Sequence, residues 1–356
     1  MKYKMNTLLY YIRKGLMALA VLLPFASCDS FVYDDEGDCS VTYRLKFRYD
    51  RNLLFADAFA HEVKSVRLYA FDAEDRLVWQ TSERGEALAT GNYTLTLPLA
   101  PGKYRLIAWC GLGDGESFNL PDAAPSCRAA DLNCRMNCIA GIPNDGQQPA
   151  VSNDDLQPLF HGMMDVELPA NDDSGEYMYE MPLTKDTKVF RVVMQQLSGE
   201  DVNPDDFQFT IEDVNGWLAH DNSLYGETPI VYRPWALYAA EAGVEKTTTS
   251  RAVTQVKAAV AEFTLNRLFI RDWTQHQRPR LTIRTKDGDL VASLPVIDYA
   301  LLVKGEHLRK MDDQEYLDRM DSFNLTLILD QNNRWISTVI EILSWRVVIN
   351  NTEIGV

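Results

Sequence analysis

Apolar and polar residues alternate with a period of two along most of this chain, the pattern of strands with one face buried and one face wet. Val41-Thr-Tyr-Arg-Leu-Lys-Phe-Arg-Tyr49 sets Val41, Tyr43, Leu45, Phe47 and Tyr49 on one side and Thr42, Arg44, Lys46 and Arg48 on the other. The same alternation predicts strands at Val63–Phe71, Tyr93–Leu99, Lys103–Trp109, Phe160–Leu168 and Tyr177–Leu183, with Leu77–Trp79 as a hairpin partner of the second. It returns at Val189–Leu197, Phe207–Ile211, Val260–Leu265, Phe323–Leu329 and Trp335–Leu343, and closes with Trp345-Arg-Val-Val-Ile349. Leu281–Thr285 and Leu290–Leu294 flank Asp287-Gly288, a dipeptide suited to the positive φ angles of a tight hairpin. Only Asp312-Asp-Gln-Glu-Tyr-Leu-Asp-Arg319 reads as helical, with acidic residues in the first turn where the helix dipole favours them.

Two breaks organise this pattern. From Gly111 to Pro158 the periodicity fails in a stretch rich in Gly, Pro, Asp and Asn, and so long an irregular insertion is expected to be functional or pinned by disulfides. Thr184-Lys-Asp-Thr-Lys188 reads as a joint. The expected architecture is all-β: two tandem β-sandwiches, one over residues 40–185 with the insertion at 111–158, the other over residues 186–356.

Residues 1–27 differ from the rest. Lys2, Lys4, Arg13 and Lys14 precede the apolar run Gly15–Phe25, which is shorter than the ~20 residues of a spanning helix and has the form of an export signal. Phe25-Ala-Ser-Cys28 resembles a bacterial lipobox, which would make Cys28 the lipidated first residue of the exported protein; the alternative is an ordinary cut near Ala26, leaving Cys28 a thiol. Residues 28–39 then form an acidic linker, and Asp34-Asp35-Glu36 resembles a surface-export signal as well as a solvated spacer. Beyond the leader, 31 basic side chains face 51 acidic ones, a net −20 that disfavours nucleic acid as a partner.

Five further cysteines, Cys39, Cys110, Cys127, Cys134 and Cys138, would lie in a compartment that permits disulfides. Cys127, Cys134 and Cys138 lack the paired spacing of a zinc site, so a disulfide stapling the insertion is expected, and Cys39 with Cys110 is a second possible pair. The five histidines are scattered, with no metal-ligand spacing, nucleophile elbow or phosphate loop around them. His161 in Leu159-Phe-His-Gly162 is expected to be a hydrogen-bonded structural residue. These observations call for no cofactor, no metal and no catalytic residue.

Several segments together resemble the fimbrillin-associated anchor lipoproteins of Bacteroidales fimbriae. They are Cys28–Cys39, Thr42–Asp50, Phe55-Ala-Asp-Ala-Phe59, Val66–Asp72, Pro101–Trp109, Leu159–Gly162, Ile211-Glu-Asp-Val-Asn-Gly216 and Asp312–Arg319, in order through almost the whole chain. The resemblance implies transthyretin-like sandwiches, a place at the base of a fimbrium on the outer membrane, and a pilin of the fimbrial shaft as partner. It also implies assembly by β-strand addition. Loss of the first strand by proteolysis would remove Cys28 and its lipid, so an anchor is expected to keep that strand and to donate rather than accept. Trp345, Arg346, Val347, Val348 and Ile349 are the candidate donor strand, or simply the last strand of the second sandwich. The alternative function is a surface lipoprotein that binds glycan or a host ligand through the Gly111–Pro158 insertion, Trp79 or Trp217.

Overall fold

The computed structural model describes residues 41–113, 117–138, 149–170, 175–245, 253–302, 304–305, 308–342 and 345–350; the leader, Cys28 and Cys39 lie outside them. Here the expected alternation becomes strand β1 (Val41–Arg48), with Tyr43, Leu45, Phe47 and Tyr49 all at most 3% exposed. β1 lies between β10 (Gly175–Pro182) and β4 (Leu95–Leu97). A five-stranded sheet follows in the order β11 (Thr184–Lys185), β9 (Phe160–Leu168), β5 (Gly102–Cys110), β2 (Ser65–Phe71) and β3 (Leu77–Arg84).

The C-terminal half builds a six-stranded sheet ordered β16 (Ala236–Glu245), β17 (Val253–Leu265), β12 (Lys188–Gln196), β20 (Ser322–Leu329), β21 (Trp335–Ile342) and β22 (Trp345–Asn350). Its second sheet runs β19 (Leu290–Pro295), β18 (Arg280–Thr285), β13 (Phe207–Asp213), β15 (Ile230–Tyr232) and β8 (Ala150–Ser152). Antiparallel pairing dominates, but β12 and β20 run parallel over their full length, from Val189 opposite Ser322 to Gln196 opposite Leu329. Among the described residues there are also three short α-helices, α1 (Phe59–Glu62), α2 (Val296–Leu302) and α3 (Asp313–Arg319). Asp312 caps α3 by accepting the Gln314 N–H at 2.9 Å.

The insertion departs from the irregular loop expected. It holds β6 (Phe118–Asn119), β7 (Cys134–Met136) and β8, and two of these pair far along the chain. β7 pairs antiparallel with β14 (Trp217–Leu218), and β8 adds a parallel edge to β15. Its apolar residues fill a core: Phe118, Leu120, Leu132 and Met136 cluster with Tyr69 and Trp109 on one side and Phe209 and Leu281 on the other. This explains why β2 and the C-terminal half of β5 are buried on both faces. Gly111 opens the insertion with φ +86°, and a Cβ there would stand 1.8 Å from the Pro158 carbonyl oxygen, so the two ends of the insertion close against each other only at a glycine.

Residues Met1–Thr42 with Ala170–Tyr177 make one compact unit, of which little beyond the first residues of β1 and β10 is described; Tyr43–Pro169 with Met178–Val356 make the other, which contains this core.

Candidate functional site: a buried joint, a terminal edge strand and a cleft

The Thr184–Lys188 segment, polar enough to suggest an exposed linker, is buried. Thr184 and Thr187 are nearly sealed, and Asp186 and Lys188 are 0% exposed. Burying charge without partners is costly, so the neighbours matter. Lys188 Nζ donates to the Asp318 carbonyl at 2.7 Å, and Asn222 Nδ2 donates to Asp186 Oδ1 at 2.8 Å. Arg267 grips the Asp318 carboxylate through Nε at 2.8 Å and Nη2 at 2.6 Å, and its Nη1 reaches the Asn222 carbonyl. Burial pushes the Asp186 carboxyl pKa up and the Lys188 ammonium pKa down.

Several of the segments singled out in the sequence make contacts near this joint. Arg319 at the end of α3 donates to the carbonyls of Asp50 and Asn52, and its guanidinium lies 4.9 Å from the Phe55 ring centroid. Tyr49 donates its hydroxyl to Asp321, with both carboxylate oxygens within 2.9 Å, and Lys185 pairs with Glu62 at 2.6 Å. His161 is structural, as expected: Nε2 hydrogen-bonds the His220 carbonyl at 2.8 Å, its ring meets Trp109 edge-on, and burial lowers its pKa to about 4. Gly162 follows because a Cβ there would strike Leu183 and Met181 side chains within 2.9 Å. In Ile211–Gly216, buried Asn215 accepts the Tyr232 hydroxyl at 2.6 Å and donates to the carbonyls of Asn266 and Arg267. Arg267 and Asn222 carried no signal in the sequence: Asn222 sits in the polar run His220–Ser223 and Arg267 follows Asn266, neither with a motif around it.

The cysteines correct an expectation. Cys110, Cys127, Cys134 and Cys138 are free thiols, and the first three are buried. Cys127 and Cys134 sit in the core cluster with Leu132 and Met136, serving as small apolar residues, so the insertion is held by packing and strand pairing rather than by a disulfide among them. Burial raises the pKa of all four, Cys134 well above the ordinary value. Cys39 and Cys28 lie outside the described residues.

At the other end of the chain, β22 occupies the outer position of the six-stranded sheet. It pairs antiparallel with β21 from Ile342 opposite Trp345 to Ser337 opposite Asn350, and no other strand lies beside it among the described residues. β1, by contrast, has a neighbour on each side.

A cleft of about 600 Å³ opens at one end of the sheet containing β13. Register explains its floor: Glu212 and Asp213 end β13, Arg280 opposite Glu212 begins β18, and Ile230 opposite Asp213 begins β15. Loop 272–279 forms a wall carrying Trp273, Gln277 and Arg278. The loop is turned by Asp272, whose Oδ1 accepts the Thr274 N–H at 3.0 Å and whose carbonyl accepts the N–H groups of Gln275 and His276 at 3.1 Å. Behind it, Arg271 bridges Glu227 and His276. Asp213 accepts the Val214 N–H at 2.7 Å, and burial raises its pKa to about 7. Trp79 and Trp217, the tryptophans weighed for ligand contact, are elsewhere and half-buried, the latter packed on Tyr225 and Arg135.

Several β-sheets, a buried polar segment between β11 and β12 and an outer strand at one sheet edge define the class: an all-β protein. The family model of the Fimbrillin-A associated anchor proteins Mfa1 and Mfa2 matches residues 35–351, and the chain belongs to this family. Membership implies a place at the cell surface in association with fimbrial subunits. Among solved structures, a candidate adhesin from Bacteroides thetaiotaomicron shares 31% identity at a TM-score of 0.73, covering 89% of this chain and 100% of that one. A candidate polysaccharide-binding protein from the same organism shares 26% identity at a TM-score of 0.70, covering 88% and 99%. The fimbrial anchor protein Mfa2 from Porphyromonas gingivalis, at 15% identity, a TM-score of 0.61 and coverage of 88% and 99%, has the same fold. A comparison with curated protein sequences gives no match.

Proposed function

We propose that this protein is a non-enzymatic fimbrial anchor, attached to the outer membrane by a lipid on Cys28 and joined to the shaft pilin by β-strand addition, with Trp345–Ile349 as the donor. The observation that carries this reading is the contrast between the two ends of the chain. β1 is held between β10 and β4, so the place of the first strand is filled, whereas β22 is the outer strand of its sheet and, among the described residues, is paired on one side only. A strand held by a single ladder can leave its sheet, or extend it, at far less cost than one held by two. The chain divides, in this reading, into a leader of residues 1–27, an acidic linker, and two transthyretin-like sandwiches over 40–185 and 186–356.

Deleting Trp345–Val356 tests the donor strand: cells are expected to shed fimbriae or fail to elaborate them. Attached fimbriae of normal length, seen by electron microscopy, would refute it. Replacing Cys28 with alanine is expected to release the protein, and fimbriae with it, into the medium.

A second reading, recognition of a glycan at the cell surface, is favoured by the cleft at the end of β13. The chain's overall resemblance to the candidate polysaccharide-binding protein supports this reading. The two readings are compatible in one molecule, because the cleft and β22 belong to different sheets.

A further inference from the structure

We infer that the cleft between the ends of β13 and β15 and loop 272–279 is a subsite for a neutral sugar residue, with Trp273 as its apolar contact, Glu212 and Asp213 as hydrogen-bond acceptors, and Gln277 and Arg280 as donors. This rests on the glycan-recognition reading and names the place and the class of ligand.

The size is right: about 600 Å³ falls in the range of small-ligand cavities and admits one or two sugar rings. The walls are stiff. Pro149, Pro229 and Pro279 line the cleft and restrict its backbone, and Ile230 and Arg280 are held by the register of β13 with its two neighbours, so little ordering is needed on binding.

The polar lining decides the ligand class. Glu212 is exposed and makes no ion pair among the described residues, although Arg280 lies opposite it in register. Arg280 instead donates through Nε to Ser293 Oγ and through Nη2 to the Ser293 carbonyl, both at 3.0 Å. Arg278 is taken by Asp298 and rests with its guanidinium 5.8 Å from the Trp273 ring centroid, which fixes the indole in place. Two carboxyl groups and two guanidinium groups therefore line one cleft, with Arg278 paired to Asp298 and Arg280 hydrogen-bonded to Ser293. An anionic ligand would meet Glu212 and Asp213, a cationic one Arg278 and Arg280. A polyol can use acceptors and donors together, and the hydrocarbon face of a sugar ring suits an aromatic side chain between prolines. Asp213, whose pKa stands near neutrality, suits a hydroxyl better than an ammonium ion. The chain's net charge of −16 further disfavours acidic polysaccharides.

The test uses the full chain purified from membranes and an array of neutral, sialylated and sulfated oligosaccharides, followed by titration of the best neutral binder against Trp273→Ala and Glu212→Gln. Glu212 is exposed, so its variant keeps the test open even where the tryptophan change impairs folding. The expected result is binding to neutral glycans only, with a Kd of about 10–1,000 μM, weakened about tenfold or more in each variant at an unchanged melting temperature. Absence of binding to any glycan would overturn the glycan-recognition reading. Neutral binding undiminished in both variants would leave that reading standing and overturn the cleft as its site. Binding confined to sialylated or sulfated glycans would overturn the neutral assignment.

Discussion

Replacing Arg267 with methionine probes whether the joint is held by its buried ion pair. Arg267 and Asp318 have side chains only 14% exposed and share two hydrogen bonds of 2.8 and 2.6 Å. Burial works against the arginine charge, yet the hydrogen bonds and charge of Asp318 outweigh it and its pKa is raised. Methionine keeps most of the volume but strands the Asp318 carboxylate, which retains only the Gln314 amide at 3.0 Å. Stranding one member of a buried pair costs about 3–5 kcal/mol, because the remaining charge has lost its partner but cannot regain water. Asp318→Leu should cost a similar amount, leaving the guanidinium beside the Asn222 carbonyl. In the double variant neither member of the pair is left without its partner, so its loss should fall below that of either single variant, a coupling of about 3 kcal/mol or more. Urea unfolding followed by tryptophan fluorescence reads this directly, and one cooperative transition is expected because one apolar cluster links both sets of sheets. A loss below about 1 kcal/mol for Arg267→Met, or a double variant as unstable as the sum of the singles, would refute the argument.

Further outcomes follow from particular residues. Gly111→Ala should lower stability by about 3 kcal/mol or more, since it combines positive φ with a clash against the Pro158 carbonyl, whereas Gly91→Ala, with open space around it, should stay within about 0.5 kcal/mol; equal melting temperatures would contradict this. His161 has an ordinary pKa of 6.5 and a folded pKa of about 4, so the unfolded chain takes up a proton that the folded one refuses, and stability is lost as pH falls from 6.5 towards 4, by at most about 3 kcal/mol. In His161→Gln that part of the pH profile should flatten, and parallel profiles would show that His161 does not titrate this way. Alkylation of the native protein should label Cys138 and spare Cys110, Cys127 and Cys134; a disulfide-linked peptide among the last three of the four cysteines, found by mass spectrometry, would restore the staple expected from spacing.

Strands whose side chains alternate were legible because alternation records one buried face. β1, β5, β9, β12 and β20 lie within a residue or two of their expected bounds, as does α3 with its acidic cap. The Asp287-Gly288 hairpin was legible for a different reason: Gly288 takes φ +95°, which few residues accept. β16 escaped because Ala236-Leu-Tyr-Ala-Ala-Glu-Ala carries no alternation, its strand form coming from a ten-residue ladder with β17. α2 escaped because Val-Ile-Asp-Tyr-Ala-Leu-Leu is a short apolar run that reads equally as a continuation of β19. β6, β7 and β8 span only two or three residues each, too few for a period to show.

What the sequence by itself determined is therefore local and chemical: which stretches alternate, where glycine is needed, the acidic balance, and the family motifs. Only tertiary structure decided what those motifs are for. Asp186 and Lys188 read only as part of a joint until their burial beside Asn222 and Asp318 is seen, and Cys127 and Cys134 read as a staple until a core forms around their thiols. Glu212 and Asp213 became a cleft floor only when the register of β13 with β15 and β18 brought Ile230 and Arg280 beside them. The physical reason is common to all three: the cost of a buried charge, a thiol's environment and a cavity's lining depend on residues distant in the chain, and a one-dimensional pattern records only the faces that residues turn to their own neighbours.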